Sequence, residues 1–180
     1  LKKPILIAAA LFALLFLFYL IFEGDAPEQN TAYQGVRFLP LKAAEVRELK
    51  INTREGLTFH CVKDTDNSWN VIAGERKAKA SEKINDFLDS FTSLPQIDRI
   101  PLNANRLDQY GLHKPSSKVI LTDLTNKTYE ILIGDNTPIT TTGVYVMLTD
   151  NNEVIILGAA LNWELSKISS LFTFLENQKE

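Results

Sequence analysis

The apolar run at residues 4–22, PILIAAALFALLFLFYLIF, constrains this chain more than any other stretch, because the solvent it selects decides what every later residue faces. Residues 5–22 are eighteen positions without a charge. A helix of that length rises about 27 Å, close to the roughly 30 Å hydrocarbon core of a bilayer. The sequence therefore predicts a membrane anchor over residues 1–22, with membrane lipid around residues 4–22. Lys2 and Lys3 precede the run, while Glu23, Asp25 and Glu28 follow it. The positive-inside bias then places the N-terminus in the cytoplasm and the main domain on the periplasmic or extracytoplasmic side, as a single-pass protein of a cell inner membrane. A secretory signal peptide would have a shorter apolar core and a small-x-small cleavage site. Here Tyr19 and Phe22 crowd the end of a longer core, and Gly24-Asp25-Ala26 matches a cleavage site weakly. Ala9 and Ala13, four apart among bulky residues, predict lateral docking of the helix on a neighbour as well as attachment.

Residues 23–35, EGDAPEQNTAYQG, are polar, broken by Pro27 and Gly35 and without periodicity, and read as a linker. The chain has 19 Lys and Arg against 22 Asp and Glu. Setting Lys2 and Lys3 aside leaves 17 against 22, about −5 for the part beyond the run, which argues against nucleic acid as a partner. Cys61 is the single cysteine, so no internal disulfide can form. It alternates in phase with Leu57 and Phe59 and reads as core packing rather than a reactive thiol.

The remainder predicts an α+β fold of two small sheet-plus-helix modules, residues 36–101 and 102–180, behind the transmembrane helix. In the first, residues 45–51 and 57–62 are strands around the turn Arg54-Glu55-Gly56, and Trp69 opens a third after the turn cluster 64–68. Trp69 is expected at the core edge with its indole N–H aimed at a partner or water. Residues 74–80, GERKAKA, read as a basic loop, with Ser81 capping a helix whose stripe is Ile84, Phe87, Leu88, Phe91 and Leu94. Pro95 stops that helix, and an extended return follows to Pro101. Asn105 is then expected to cap a short helical turn that Gly111 ends with a positive φ, sending Leu112 back to the core. In the second module, strands at 118–124 and 128–133 flank an Asn126-Lys127 turn. Val144, Val146 and Leu148 alternate in a further strand, residues 154–157 return, and Leu161, Leu165, Ile168 and Leu171 mark a closing helix. The similar spacing of the halves raises a duplication, although their residue identity is low.

No arrangement for chemistry emerges, and the sequence yields no catalytic, cofactor-binding or metal residues and no cofactor. His60 and His113 lie in different modules without a metal-ligand spacing. The cluster Asp64, Asp66, Asn67 and Ser68 lacks the glycine and distal glutamate of a calcium loop. Thr140-Thr141-Thr142-Gly143 has no strand-to-helix setting for a nucleophile, and Gly134-Asp135-Asn136 is followed by none of the residues of a phosphate loop. Arg99 and Arg106 read as solvated cations.

The motif Asp108-Gln109-Tyr110-Gly111-Leu112, with Pro115, Val119-Ile120-Leu121, Ile131-Leu132-Ile133-Gly134-Asp135 and Gly143-Val144-Tyr145-Val146, resembles the domain-of-unknown-function 4340 family. Trp69-x-Val71 and a helix from near Ser81 fit the same pattern. The resemblance implies a membrane-tethered extracytoplasmic domain, some relatives being associated with transport or gliding machinery, and carries no catalytic residue onto this chain. On this reading the chain is a non-catalytic accessory or assembly subunit of a membrane protein complex, partnered by integral membrane subunits. The alternatives are an extracytoplasmic ligand- or peptide-binding module, with Trp69 and the 140–145 loop at its surface, and an enzyme.

Overall fold

The structure is a computed structural model that describes residues 11–17, 36–54, 56–73, 76–101, 106–138, 143–151 and 153–177. The chain divides into two compact units, Leu1–Thr31 and Ala32–Glu180.

In the first unit, residues 11–17 are helical. Among the described residues no helix is long and apolar enough to cross a membrane. That finding overturns the transmembrane helix of the predicted fold, and with it the single-pass inner-membrane topology, the lipid contact and the integral membrane partners. The rest of the apolar run, at 4–10 and 18–22, the linker 23–35, and Ala9 of the predicted docking pair lie outside the described residues.

In the second unit, β1 (Val46–Thr53), β2 (Thr58–Lys63), β3 (Trp69–Ala73) and β4 (Arg76–Lys79) form a meander that leads into α1 (Ser81–Ser93). After β5 (Gln96–Pro101) and a 3-10 turn at Leu107–Tyr110, a second meander follows. It comprises β6 (Ser117–Asp123), β7 (Thr128–Asn136), β8 (Gly143–Leu148) and β9 (Glu153–Gly158), and it leads into α2 (Ala160–Asn177).

The two predicted modules do not keep separate sheets. They share one antiparallel sheet of nine strands in the order β4-β3-β2-β1-β6-β7-β8-β9-β5. The physical reason is the pairing of β1 with β6, Leu49 opposite Leu121 and Ile51 opposite Val119. Each meander alone would leave its first strand as a bare edge of unpaired N–H and C=O groups, and the two edges satisfy one another. Two segments also differ from their expected form. Part of the basic stretch 74–80 pairs with β3 as β4, and the extended return after Pro95 becomes β5, the partner of β9.

The halves repeat each other closely. Moving seventy residues along the chain carries the pair Leu49↔Cys61 onto Val119↔Ile131, and Ile51↔Phe59 onto Leu121↔Tyr129. The hairpin turns match bond for bond. Thr53 N–H donates to Leu57 O at 2.9 Å and Gly56 N–H to Thr53 O at 3.0 Å, while Asp123 N–H donates to Lys127 O at 2.9 Å and Asn126 N–H to Asp123 O at 3.1 Å. Both turns need a left-handed residue, filled by Gly56 at φ 85° and by Asn126 at φ 68°. With β4-β3-β2-β1 on one side of the β1–β6 seam mirrored by β9-β8-β7-β6 on the other, and β5 added outside β9, an approximate twofold axis passes between β1 and β6.

Side chains from both halves fill one core. Ile84, Phe87, Leu88 and Phe91 of α1 and Leu161, Ile168 and Leu171 of α2 pack with Leu49, Cys61, Trp69, Leu121, Ile131 and Val146 of the sheet in one cluster. Each such side chain contributes about 1.5–3 kcal/mol by leaving water. Trp69 is fully buried, and its indole Nε1–H donates to Asn85 Oδ1 on α1 at 2.8 Å. Ser81 is the first residue of α1 rather than its cap, and its hydroxyl accepts the Trp69 N–H at 2.8 Å. A smaller cluster of Leu112, Met147 and Val154, with Tyr110 and Tyr145, covers the opposite face over β7, β8 and β9.

Candidate functional site

The sheet carries α1 and α2 on one face and the 107–116 segment over part of the other, and side chains converge at several surfaces around it. The first is an open cleft of about 660 Å³ lined by Arg54, Asp108, Gly111, His113, Lys114 and Asp135. The segment turns at Gly111, whose φ of 68° is the left-handed value expected from sequence, and Leu112 beyond it is buried. Leu107 starts that turn, and Arg106 occupies the cap position without a side-chain bond. Asn105, the expected cap, lies outside the described residues. Two close approaches hold the segment down. A Cβ on Gly111 would meet the Asp135 carboxyl at 2.4 Å, and one on Gly134 would meet the Tyr110 carbonyl oxygen at 2.1 Å. Arg54 Nη2 donates to Lys114 O at 2.6 Å and stands 3.9 Å from Asp135 Oδ1. The guanidinium thus fastens a loop, and the cleft brings no nucleophile beside a base.

The second surface is a groove of about 370 Å³ between the helices, lined by Lys83, Phe87, Glu164, Lys167, Ile168 and Leu171. Moving 77 residues carries Ile84, Phe87, Leu88 and Phe91 onto Leu161, Glu164, Leu165 and Ile168, so Glu164 stands where the first helix has Phe87. It is buried, and its Oε1 accepts from Lys167 Nζ at 3.1 Å. Lys167 also lies 3.2 Å from the centroid of exposed Trp163. Burying a carboxylate in an apolar stripe is costly unless it is paired, and Lys167 supplies the partner. Sequence reasoning missed Glu164, although its position three after Leu161 and four before Ile168 places it within the stripe.

The third surface is the far face of β4, β3, β2, β1 and β6, away from the helices. Register lays one row across it, Ile72-His60-Lys50-Ile120-Glu130, beside a second, Lys79-Asn70-Val62-Glu48-Thr122. Glu48 Oε1 lies 2.7 Å from both Lys50 Nζ and His60 Nε2, and Lys118 Nζ lies 2.7 Å from Glu130. The hydrogen bond from Lys50 and then that from His60 hold the Glu48 carboxyl below its ordinary range against the opposing effect of burial. Strand positions of this face from β4 to β7 carry Lys50, Lys79 and Lys118 against Glu48 and Glu130. The face is therefore net positive on a chain of net charge −3.

A family model described as a domain of unknown function (DUF4340) matches residues 71–174, more than half of the chain. The chain belongs to the DUF4340 family. No curated protein and no solved structure matches it. The matched span of the DUF4340 domain runs from within β3 into α2 and so includes the approaches of Gly111 to Asp135 and of Gly134 to Tyr110, the 107–116 segment, all of α1 and most of α2.

Other residues singled out in the sequence are dispersed through the fold. Trp69, buried against α1, is a core side chain and offers no platform to a ligand. His60 is half-buried on the far face, and His113 is exposed at the cleft. Asp64, Asp66, Asn67 and Ser68 form a turn with Asn67 at φ 63°, where Asp66 Oδ1 accepts the Ser68 N–H at 2.9 Å. Among the described residues no three His, Cys, Asp or Glu side chains come together to hold a metal. Cys61 is buried, which pushes its thiol up to about 12. Arg99, read from sequence as a solvated cation, instead clamps β5 to β9 through Glu153 Oε2 at 3.0 Å. Gln96 is buried beside it and donates from Nε2 to Arg37 O at 2.7 Å. Residues 140–142 lie outside the described residues.

Proposed function

We propose that this DUF4340 domain is a non-catalytic polypeptide-binding module that receives its partner on the far face of β3, β2, β1 and β6. The observation that carries the reading is the alternation on that face of aliphatic side chains, Ile72, Val62 and Ile120, with the ion pairs of Glu48 and Lys118. Apolar contacts supply affinity and fixed charges around them supply register and partner choice, the combination found in protein-recognition surfaces. The charged groups of the cleft and of the β5–β9 edge support the same reading, because they bind the chain's own backbone and side chains. The accessory role in a membrane complex loses its basis with the absence of a spanning helix among the described residues.

The full chain should select binders from a displayed library of random twelve-residue peptides. Their affinity should fall at least tenfold when Ile72 and Ile120 are both replaced by glutamate, at an unchanged unfolding midpoint. A library that yields no saturable binder, or binders indifferent to both substitutions, removes this function.

A further inference from the structure

The internal repeat reveals a difference between the two ends of the sheet. In the second half the outer strand β9 is joined along its free side by β5, with Ile155 opposite Arg99 and Val154 opposite Ile100. The corresponding outer strand of the first half is β4, and among the described residues it ends the strand order. Ala80 N–H donates to Trp69 O at 3.1 Å, which fixes the phase of the β3–β4 ladder. Even-numbered residues then direct their backbone groups at β3, and Lys77 and Lys79 direct N–H and C=O outward. An outward row of backbone donors and acceptors is matched by another extended backbone, which neither a nucleic acid nor a lipid supplies.

We propose that the outer edge of β4 accepts an extended acidic polypeptide segment as a tenth antiparallel or parallel strand, in the place that β5 fills at the other end. The inference rests on the polypeptide-binding reading and names its partner. Charge selects that partner. Lys79 pairs with Asn70, next to the net positive surface that contains Lys50 and Lys118, and Lys77 adds a second lysine to the same short strand. A second copy of the chain pairing β4 on β4 would set lysines against lysines, an arrangement that destabilises a cross-strand pair. An acidic strand sets carboxylates there instead. Asp66 Oδ2 stands 3.7 Å from Lys79 Nζ in the free chain and competes for that one lysine, leaving the backbone row unaffected.

The test uses the full chain and a fluorescein-labelled decapeptide that alternates glutamate with valine, with a lysine–valine decapeptide as control, followed by anisotropy at low salt. The acidic peptide is expected to bind saturably and the basic one not, with affinity falling as salt rises. Lys77→Pro removes one outward N–H while leaving the bonds to β3 in place, a substitution that edge strands accept. It should weaken binding at least tenfold at an unchanged unfolding midpoint. The double charge reversal Lys77→Glu with Lys79→Glu should invert the preference toward the basic peptide. Amide exchange at residues 77 and 79 should slow on binding. Saturable binding that ignores Lys77→Pro overturns the edge assignment. Sedimentation showing a dimer of the chain that Lys77→Pro dissolves overturns the acidic partner. If library peptides bind through Ile72 and Ile120 but the acidic peptide does not bind, this inference fails while the polypeptide-binding reading stands; a chain that binds no peptide in either format loses both.

Discussion

Gly134 lies against Tyr110 and Gly111 against Asp135, and the two differ in what a methyl group would strike. At Gly134 the obstacle is backbone, the Tyr110 carbonyl oxygen at 2.1 Å, and backbone cannot step aside without lifting the 107–116 segment. At Gly111 it is the Asp135 carboxyl, whose side chain is more than half exposed and can rotate away, so the residual cost there is the left-handed φ. Gly134→Ala should therefore cost about 3 kcal/mol by overpacking and Gly111→Ala about 1–2 kcal/mol by backbone strain, read by urea unfolding. Gly111→Val should be worse than Gly111→Ala because β-branching crowds the left-handed region further. Asp123 supplies a pH-dependent counterpart at the β6–β7 turn. Its Oδ1 accepts from Thr125 Oγ1 at 2.7 Å, Thr125 N at 2.8 Å and Lys127 N at 2.9 Å. The Thr125 hydroxyl bond leads the effects that hold the carboxyl below its ordinary value of 3.8. A folded-state value below the unfolded one means that the stabilisation is complete above about pH 4 and is lost as the pH falls through the depressed value. Asp123→Ala should accordingly be less stable than the parent at pH 7, with the gap narrowing as the pH falls below 3.8; an equal gap at pH 7 and pH 2 would show that the ionised carboxylate contributes nothing beyond its shape.

At the scale of elements, the joint between β3 and α1 depends on a hydrogen bond that the sequence announces only in part. The position of Trp69 after a turn cluster predicts a core-edge indole seeking a partner, and the structure supplies Asn85 sixteen residues on. Asn85→Leu should leave the buried indole N–H unpaired and cost about 1–3 kcal/mol, whereas Trp69→Phe combined with Asn85→Leu removes both polar groups and should recover part of that loss in thermal unfolding. Hairpins, helix stripes and the Gly111 turn were readable because each is set by residues a few positions apart, as at Gly56 and Asn126. The partners of β5 and β4 were not. Period-two alternation tells which face a strand buries and nothing about which edge it joins, so the pairing of Gln96 with Leu157 had no local signal. The same limit hid the cleft, since Arg54 and Lys114 are sixty residues apart and meet only because β1 lies against β6.

For the whole molecule, the β1–β6 seam turns two meanders into one sheet over one core, and the halves should therefore lose structure together. Separate modules, as the repeated spacing suggested, would unfold independently. Cys61 offers a way to distinguish these cases without adding a probe, because it is the single cysteine, lies on β2 in the first half, and is fully buried with its thiol pushed up to about 12. A thiol in that state does not react with an alkylating reagent near neutral pH until the structure around it opens. When closing is faster than alkylation, the observed rate follows the population of the open form. Leu157 is fully buried on β9 in the other half, five strands from β2 across the seam. Leu157→Ala should destabilise its surroundings by about 2–5 kcal/mol. If the sheet is one cooperative unit, that loss raises the open population at Cys61 as well, by a factor of ten for each 1.4 kcal/mol, or about 30- to 4,000-fold. Alkylation of Cys61 at its parental rate in the Leu157→Ala variant, with a normal unfolding transition for the first half, would mean that the seam joins the strands without coupling the two halves.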